Sequence, residues 1–362
     1  MDSFQVGILG ATGAVGQKFI RLLQGHPWFN IAKLGASERS AGNKYWEAAN
    51  WIEDVHLPEY IAGMDVKACD PAEFKDVDFV FSGLDSSVAL EIERNFAEAG
   101  IPVISNAKNY RMDDTVPLLV PEINPDHISL IKSQNFTEDG SGWIVTNPNC
   151  VCVPLTMSLR PLYDAFGIEA VILTSMQAVS GAGYPGVPSL DIMGNVIPHI
   201  GGEESKIHVE PLKLLGKLND ANKVDYAKFP IQATATRVPT INGHTLSITV
   251  KLKNKPDSLD EVVDAVRKWK NPIEDLDLPF APKQPIKLYN NDFYPQPRLH
   301  ANTENGMQLG IGRLRASQVF DVTMVALAHN TIRGAAGGAI LNAELLVKKG
   351  YLSAQKAATA AK

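Results

Sequence analysis

The chain has 362 residues, 45% hydrophobic and 20% charged, with a net charge of −6. This is an ordinary soluble composition long enough for about two domains. It offers no basic patch for nucleic acid or a membrane surface, and no apolar run of about 18 residues to span a bilayer. Its cysteines are Cys69, Cys150 and Cys152, too sparse and odd a set for a disulfide framework, which points to a reducing, cytoplasmic setting. Cys150-Val151-Cys152 lacks a second pair to complete a zinc site, so no metal is expected.

Phe4 to Leu9 reads as a strand and begins too early to leave room for a signal peptide. Gly10-Ala11-Thr12-Gly13-Ala14-Val15-Gly16 follows, then Gln17 to Leu23 at helical spacing. A strand, a glycine turn and a helix N-terminus together favour a pyrophosphate. The spacing is GxxGxxG, not the commoner GxGxxG. A second strand, Ile31 to Leu34, leads into Ser37, Arg39 and Ser40, which suit a 2′-phosphate and hence NADP, provided that Glu38 points away. A third strand, Val77 to Ser82, puts Ser82 and Gly83 at a carboxyl end, where open α/β sheets bind ligands. A helix from Val88 to Ala99 and a strand from Ile101 to Ile104 continue the alternation. The pattern predicts a doubly wound, Rossmann-type parallel sheet. In the next loop, Arg111 is either an anion-binding guanidinium or an exposed loop residue.

The strand Trp143 to Val145 ends in Thr146-Asn147-Pro148-Asn149-Cys150, and a helix is predicted from Cys150 to about Phe166. A cysteine at a helix N-terminus has its thiol pKa lowered toward the nucleophilic thiolate. Backbone N–H groups there, with Asn149, stabilise an oxyanion. The bland alternative is a buried, inert cysteine. Cys152 lies about 200° further around the helix and faces elsewhere.

After a strand from Ala170 to Met176, Gln177 enters a glycine-rich loop and is placed to hydrogen-bond a substrate carbonyl or carboxylate. Glu203 and Lys206 share one helix face, and from spacing alone read as a surface ion pair. A glycine turn delivers His244 to the strand Thr245 to Leu252. Histidine is the natural acid/base, and Arg237 in the same segment suits a carboxylate. Ser258 with Glu261 fits a capping box for a helix to Lys268. Leu278 to Pro297 reads as irregular, Met307 to Ile311 as strand, and Val319 to Leu327 as the start of helical pattern running to Lys348. That stretch carries Asn330 and the small-residue patch Gly334 to Gly338. The Ala/Lys-rich tail after Leu352 reads as frayed.

The N-P-N-C turn, the Q-A-V-S-G-A-G loop, the E-E-x-K helix start and the R-V-P-x-x-x-G-H segment occur here in one order. In that order they resemble the aspartate-β-semialdehyde dehydrogenase family, nearer its fungal and archaeal branch, from Val6 to about Leu346. The resemblance implies NADPH-dependent reduction of L-4-aspartyl phosphate to L-aspartate-4-semialdehyde, on the route to lysine, threonine, methionine and isoleucine. Cys150 resembles the family's nucleophile, His244 its acid/base and Gln177 its substrate-orienting residue. Arg237 and Glu203 resemble the partners of the substrate's carboxylate and amino groups, and Lys206, Arg111 and Asn106 the phosphate pocket. Gly10, Thr12, Gly13, Ala14, Val15, Gly16, Ser37, Arg39, Ser40, Ser180, Gly181 and Asn330 resemble NADP contacts. The implied organisation is a Rossmann-type domain over 1–149, completed by a C-terminal helix over 325–352. A second α/β catalytic and dimerisation domain spans 150–324, in a homodimer or homotetramer. The segment Val151-Cys152-Val153-Pro154 departs from the small residues usual in the family. The rival readings are another acyl reductase, for malonyl-CoA or N-acetyl-glutamyl phosphate, an NADP-linked alcohol dehydrogenase that needs no thiol, and an inactive NADP-binding sensor.

Overall fold

The structure, a computed structural model, describes residues 3–354; most of the expected frayed tail lies outside them. Short apolar runs alternating with amphipathic helices build the first sheet. Its strands are β1 (Phe4–Leu9), β2 (Phe29–Ala36), β3 (Val66–Ala68), β4 (Phe79–Ser82), β5 (Val103–Ser105) and β6 (Ile144–Thr146). They run in the order β3-β2-β1-β4-β5-β6, and every pairing is parallel. Strand order reverses between β1 and β4, and the crevice at such a switch point is where doubly wound sheets bind ligands.

The second sheet takes β7 (Ile168–Gln177), then, beyond a small β8 (Lys217–Leu218) and β9 (Val224–Asp225) hairpin, β10 (Ile231–Arg237) and β11 (His244–Leu252). It is completed by β12 (Ile286–Leu288), β13 (Leu309–Ala316) and β14 (Val322–Ala328). The order is β10-β7-β11-β14-β13-β12, with β10/β7 and β12/β13 parallel and the other pairs antiparallel. The helix Cys152–Phe166 covers this sheet and is buried along most of its length.

Two expectations are corrected here. Val322–Ala328 is a central strand, not a helix: buried residues alternate through it, and it pairs with β11 from Val250↔Val322 to His244↔Ala328. The return to the first domain therefore begins after Ala328, not at 325. The helix Gly337–Lys348 then packs Ala339, Ile340, Leu341, Ala343, Leu345 and Leu346 into the same core as β1, β2 and β4. An apolar run of that length suits a buried strand as well as a helix, and only pairing decides it. Also, the helix after the cysteine turn starts at Cys152, two residues later than expected.

A buried ion pair pins the crossing between the two sheets. Arg333, in the turn after β14, meets Glu122 through two bonds of 2.8 and 2.6 Å, both side chains essentially inaccessible. Replacing one partner leaves an uncompensated buried charge. We expect Arg333→Leu to cost about 3–5 kcal/mol, read as a lowered urea midpoint, and Arg333→Leu with Glu122→Leu to recover much of that.

Candidate active site

At the first sheet's carboxyl edge the glycine turn forms as the spacing predicts. Gly10 adopts φ +73°, and a Cβ on Gly16 would lie 2.2 Å from the Gly10 carbonyl oxygen, so strand and helix approach as only glycine permits. The helix Ala14–Leu22 starts there, with Gly13 as its cap. Thr12, Gly13, Ala14 and Val15 line that entrance at or near the surface. Ser37, Glu38 and Arg39 sit exposed in the turn that follows β2, with Ser40 half-buried beside them. A cleft of about 1080 Å³ runs from Ala14 and Lys18 to Ser180, Tyr184 and Thr331. It links the glycine turn to the second domain.

At the join of the two domains, β6 ends in the cysteine turn and β11 begins with His244. Cys150 Sγ lies 3.2 Å from His244 Nε2. Two small residues allow this. A Cβ on Gly181 would stand 2.9 Å from Arg237 Nη1 and 3.1 Å from His244 Cε1. A Cβ on Gly334 would stand 2.7 Å from Cys150 Cβ. The small-residue patch near residue 334 thus backs the reactive sulfur, a role its composition did not distinguish.

Ala178 holds both functional side chains of the second domain. Its N–H donates to His244 Nδ1 at 3.1 Å, and its carbonyl accepts from Arg237 Nη1 at 2.8 Å. Asn330 ties the opposite side: its Oδ1 accepts the Gly243 N–H at 2.9 Å and its Nδ2 donates to the Ser180 hydroxyl at 2.8 Å. Ser180 faces the cleft, and the buried Asn330 positions it from behind.

The helix Glu203–Leu214 supplies a stripe of charges from below. Lys206 Nζ meets Glu203 Oε1 at 2.6 Å, so the expected surface pair is a largely buried one. Glu203 also accepts from Asn149 Nδ2 at 2.9 Å and Gln177 Nε2 at 3.3 Å. Burial raises the Glu203 pKa, but the bonds from Lys206, Asn149 and Gln177 outweigh it and hold the carboxyl below its ordinary value. One turn pair further on, Glu210 accepts the Asn149 N–H at 2.6 Å and Arg111 Nη1 at 3.0 Å. Lys213 donates to the carbonyls of Arg111, Asp113 and Val116, fixing the loop that carries Arg111. Arg111 also donates to the Asn106 carbonyl at 2.8 Å.

Several expectations change. The Cys150 thiol is pushed up to about 12, chiefly by burial and then by Glu203, against the pull of Arg111, Lys206 and Arg237. This runs against the downward pull expected of a helix N-terminus. Asn149 directs its backbone N–H to Glu210 and its side-chain amide to Glu203. Gln177 spends its amide hydrogens on Glu203 and Ser175, so it offers an acceptor oxygen instead of a donor. Ser82 turns its hydroxyl inward to the buried Glu93 at 2.6 Å, away from any ligand, while Gly83 packs against Val15 and Gly16. Asn106 accepts from Asn147 Nδ2 and donates to the Ser82 carbonyl, which leaves it a brace beneath the Arg111 loop. Cys152 faces the core, its Sγ near the Lys206 carbonyl; it faces away from the site as expected, although Cys150 lies before the helix, so the helical offset is not the reason. Glu210 and Ala178 were missed. Glu210 had a signal, the 203, 206, 210, 213 spacing of alternating charges on one helix face. Among the described residues no cluster of side chains suits a metal ion, and no helix is long and apolar enough to cross a membrane.

A parallel nucleotide-type sheet joined to a mixed sheet, with a thiol and an imidazole meeting at the join, defines an α/β dehydrogenase. The semialdehyde dehydrogenase NAD-binding domain family matches residues 5–131, and the semialdehyde dehydrogenase dimerisation domain family matches residues 159–333. The aspartate-semialdehyde dehydrogenase of Schizosaccharomyces pombe is 47% identical over 353 residues, covering 96% of this chain and 99% of that protein. The Archaeoglobus fulgidus aspartate-semialdehyde dehydrogenase is 47% identical, covering 96% and 98%. The crystal structure of the Candida albicans aspartate-semialdehyde dehydrogenase with NADP superposes with a TM-score of 0.90 at 42% identity, covering 96% of this chain and 100% of that one. The chain belongs to the aspartate-semialdehyde dehydrogenase family.

Proposed function

We propose that Cys150 carries out the family reaction, the reversible NADPH-dependent reductive dephosphorylation of L-4-aspartyl phosphate to L-aspartate-4-semialdehyde, through a thioester. The observation that carries this is the Cys150–His244 contact of 3.2 Å at the domain join. The sulfur attacks the acyl phosphate carbon, and phosphate departs. Lys206, partly exposed and paired with Glu203, and Arg111, braced on Glu210, are the cations assigned to the departing phosphate. The thioester is then reduced, and the sulfur leaves as aldehyde forms.

The cofactor is NADP. The fit rests on the glycine turn at Gly10 to Gly16 and on the cleft leading from Ala14 to Ser180, with Arg39 and the serines beside it for a 2′-phosphate. When bound, NADPH supplies the hydride. The chain's own part is to hold the acyl group: Arg237 for the α-carboxylate, Glu203 and the Gln177 oxygen for the ammonium. That last pairing separates the reading from its rivals, since malonyl-CoA and N-acetyl-glutamyl phosphate carry no free ammonium. Assaying each acyl donor tests it. Turnover of an N-acetylated donor as fast as aspartyl phosphate contradicts it. Alkylating the thiol excludes the plain alcohol dehydrogenase by abolishing turnover, and any turnover excludes the inactive sensor. We place the protein in the cytoplasm, as a homodimer or homotetramer built through its dimerisation domain.

Arg237 is anchored by one nitrogen and presents the rest of a planar fork. Arg237→Lys should raise the KM for substrate about 10- to 100-fold, the worth of one charge-assisted bond, with the KM for NADPH within about three-fold. Equal changes in both show a structural role.

A further inference from the structure

The cleft that opens beside the glycine turn continues past it. Ala14, Lys18, Arg21 and Leu22 line it, one face of the helix Ala14–Leu22 followed for about 12 Å from its N-terminus. A pyrophosphate sits across a helix N-terminus, not along the helix side. Gly10, Gly13, Ser37, Arg39, Cys150 and His244 do not line this cleft. Its far end is therefore a branch beyond the residues assigned to the cofactor and the acyl group. One wall is apolar, made by Leu22, Phe280 and Ile332. Phe280 is fixed there by its N–H on the buried Glu344 at 2.9 Å, and Glu344 in turn meets His26 Nε2 at 2.8 Å.

The other wall holds unspent donors. His329 is 2% exposed and lines the cleft. Its Nδ1 accepts the Ile332 N–H at 3.3 Å. Burial, then Lys18 and Arg21, push its pKa down to about 4, so the ring is neutral and carries its hydrogen on Nε2. That N–H has no partner among the described residues and is not enclosed by protein. Arg21 uses only Nη1, on Glu53 at 3.1 Å and on Asp54; its Nε and Nη2 have no partner among the described residues. Lys18 Nζ meets Glu53 at 2.6 Å and keeps two hydrogens. Glu53 is nearly inaccessible and stays with both cations, whereas Asp54 is exposed, and an exposed pair is worth little.

We propose that this branch is a second ligand site, separate from the cofactor's, and that it takes a small organic carboxylate with an apolar body. The carboxylate replaces Asp54 on the planar fork of Arg21, which holds it through two bonds. Lys18 and the His329 N–H serve its remaining lone pairs. The apolar body lies on Leu22, Phe280 and Ile332, an apolar lining with a few convergent polar groups, as small-molecule sites have.

The test is calorimetric titration of the whole protein with 4-methylpentanoate, with and without saturating NADPH. We expect one site per chain with a Kd of about 1 mM or below, changed less than about three-fold by NADPH. Acetate, which lacks the apolar body, and 4-methylpentan-1-amine, which lacks the carboxylate, should each bind at least about ten-fold more weakly. Two variants locate the site. Arg21→Met should weaken 4-methylpentanoate at least about ten-fold, the worth of a charge-assisted bond. Asp54→Asn should strengthen it several-fold, because the competing carboxylate is gone; a merely structural role for this exposed side chain predicts no gain. No saturation at ten times the expected Kd overturns the proposal. So does binding abolished by NADPH, which would put the probe in the cofactor's own place, or a Kd unmoved by both variants, which would put it elsewhere on the surface. The titration without NADPH needs neither cofactor nor turnover, so its failure and a failure of the reductase reading are told apart.

Discussion

Cys150→Ala is expected to fold normally and to lose reductase turnover by on the order of 10⁴-fold or more, while Cys152→Ala stays within a few-fold of the parent. The two sulfurs are two residues apart in sequence but differ in every physical respect that matters. Cys150 is half-buried and touches the His244 ring at 3.2 Å. Cys152 is inaccessible, embedded with Val151, Val153 and Leu155 in the core of the second domain. Losing a covalent nucleophile removes a whole reaction path, whereas losing a buried sulfur leaves a void of one atom. Steady-state rates with aspartyl phosphate and NADPH, with a circular dichroism check of folding, measure both variants. Activity lost in Cys152→Ala and retained in Cys150→Ala would show that the nucleophile has been misassigned.

Gly334→Ala is expected to reduce turnover about 100-fold, although residue 334 touches no substrate. The added methyl would sit 2.7 Å from Cys150 Cβ and 2.9 Å from its Cα, closer than carbon atoms pack. The neighbouring Arg333 is locked to Glu122, so this strand of chain cannot retreat, and the cysteine turn must give instead. A displacement of about 1 Å at a reacting atom is enough for a loss of that order. The loss should fall on kcat more than on the KM for NADPH, because the glycine turn lies elsewhere. Unchanged kcat would mean that the turn accommodates the methyl and that the contact is not what sets the sulfur's position.

The parts of this site that sequence disclosed are those written in local spacing. The strand–glycine–helix at Gly10 to Gly16, the turn before Cys150 and the glycine before His244 each bend the chain within a few residues, and each formed as expected. What stayed hidden depends on partners distant in the chain. The pairing of β14 with β11 joins residues more than seventy apart, and without it an apolar run fits either helix or strand. Glu122 finds Arg333 across 211 residues, and no local pattern marks either. At the thiol two effects oppose each other. A helix terminus contributes roughly 0.3–1 kcal/mol, less than one pKa unit. Cys150 also lies just outside the helix, and burial beside Glu203 moves its pKa further, to about 12 in the opposite direction. Asn149 and Gln177 lie beside Glu203 and Glu210, whose carboxylates take N–H groups that no local pattern pairs with them.

The most direct measurement takes the Cys152→Ala protein, withholds NADPH and adds aspartyl phosphate. Mass spectrometry should then find one aspartyl group on the peptide containing Cys150, with one equivalent of phosphate released and the label discharged when NADPH is supplied. A protein that turns over normally with NADPH yet never shows that adduct, or carries it on another residue, contradicts covalent capture by Cys150.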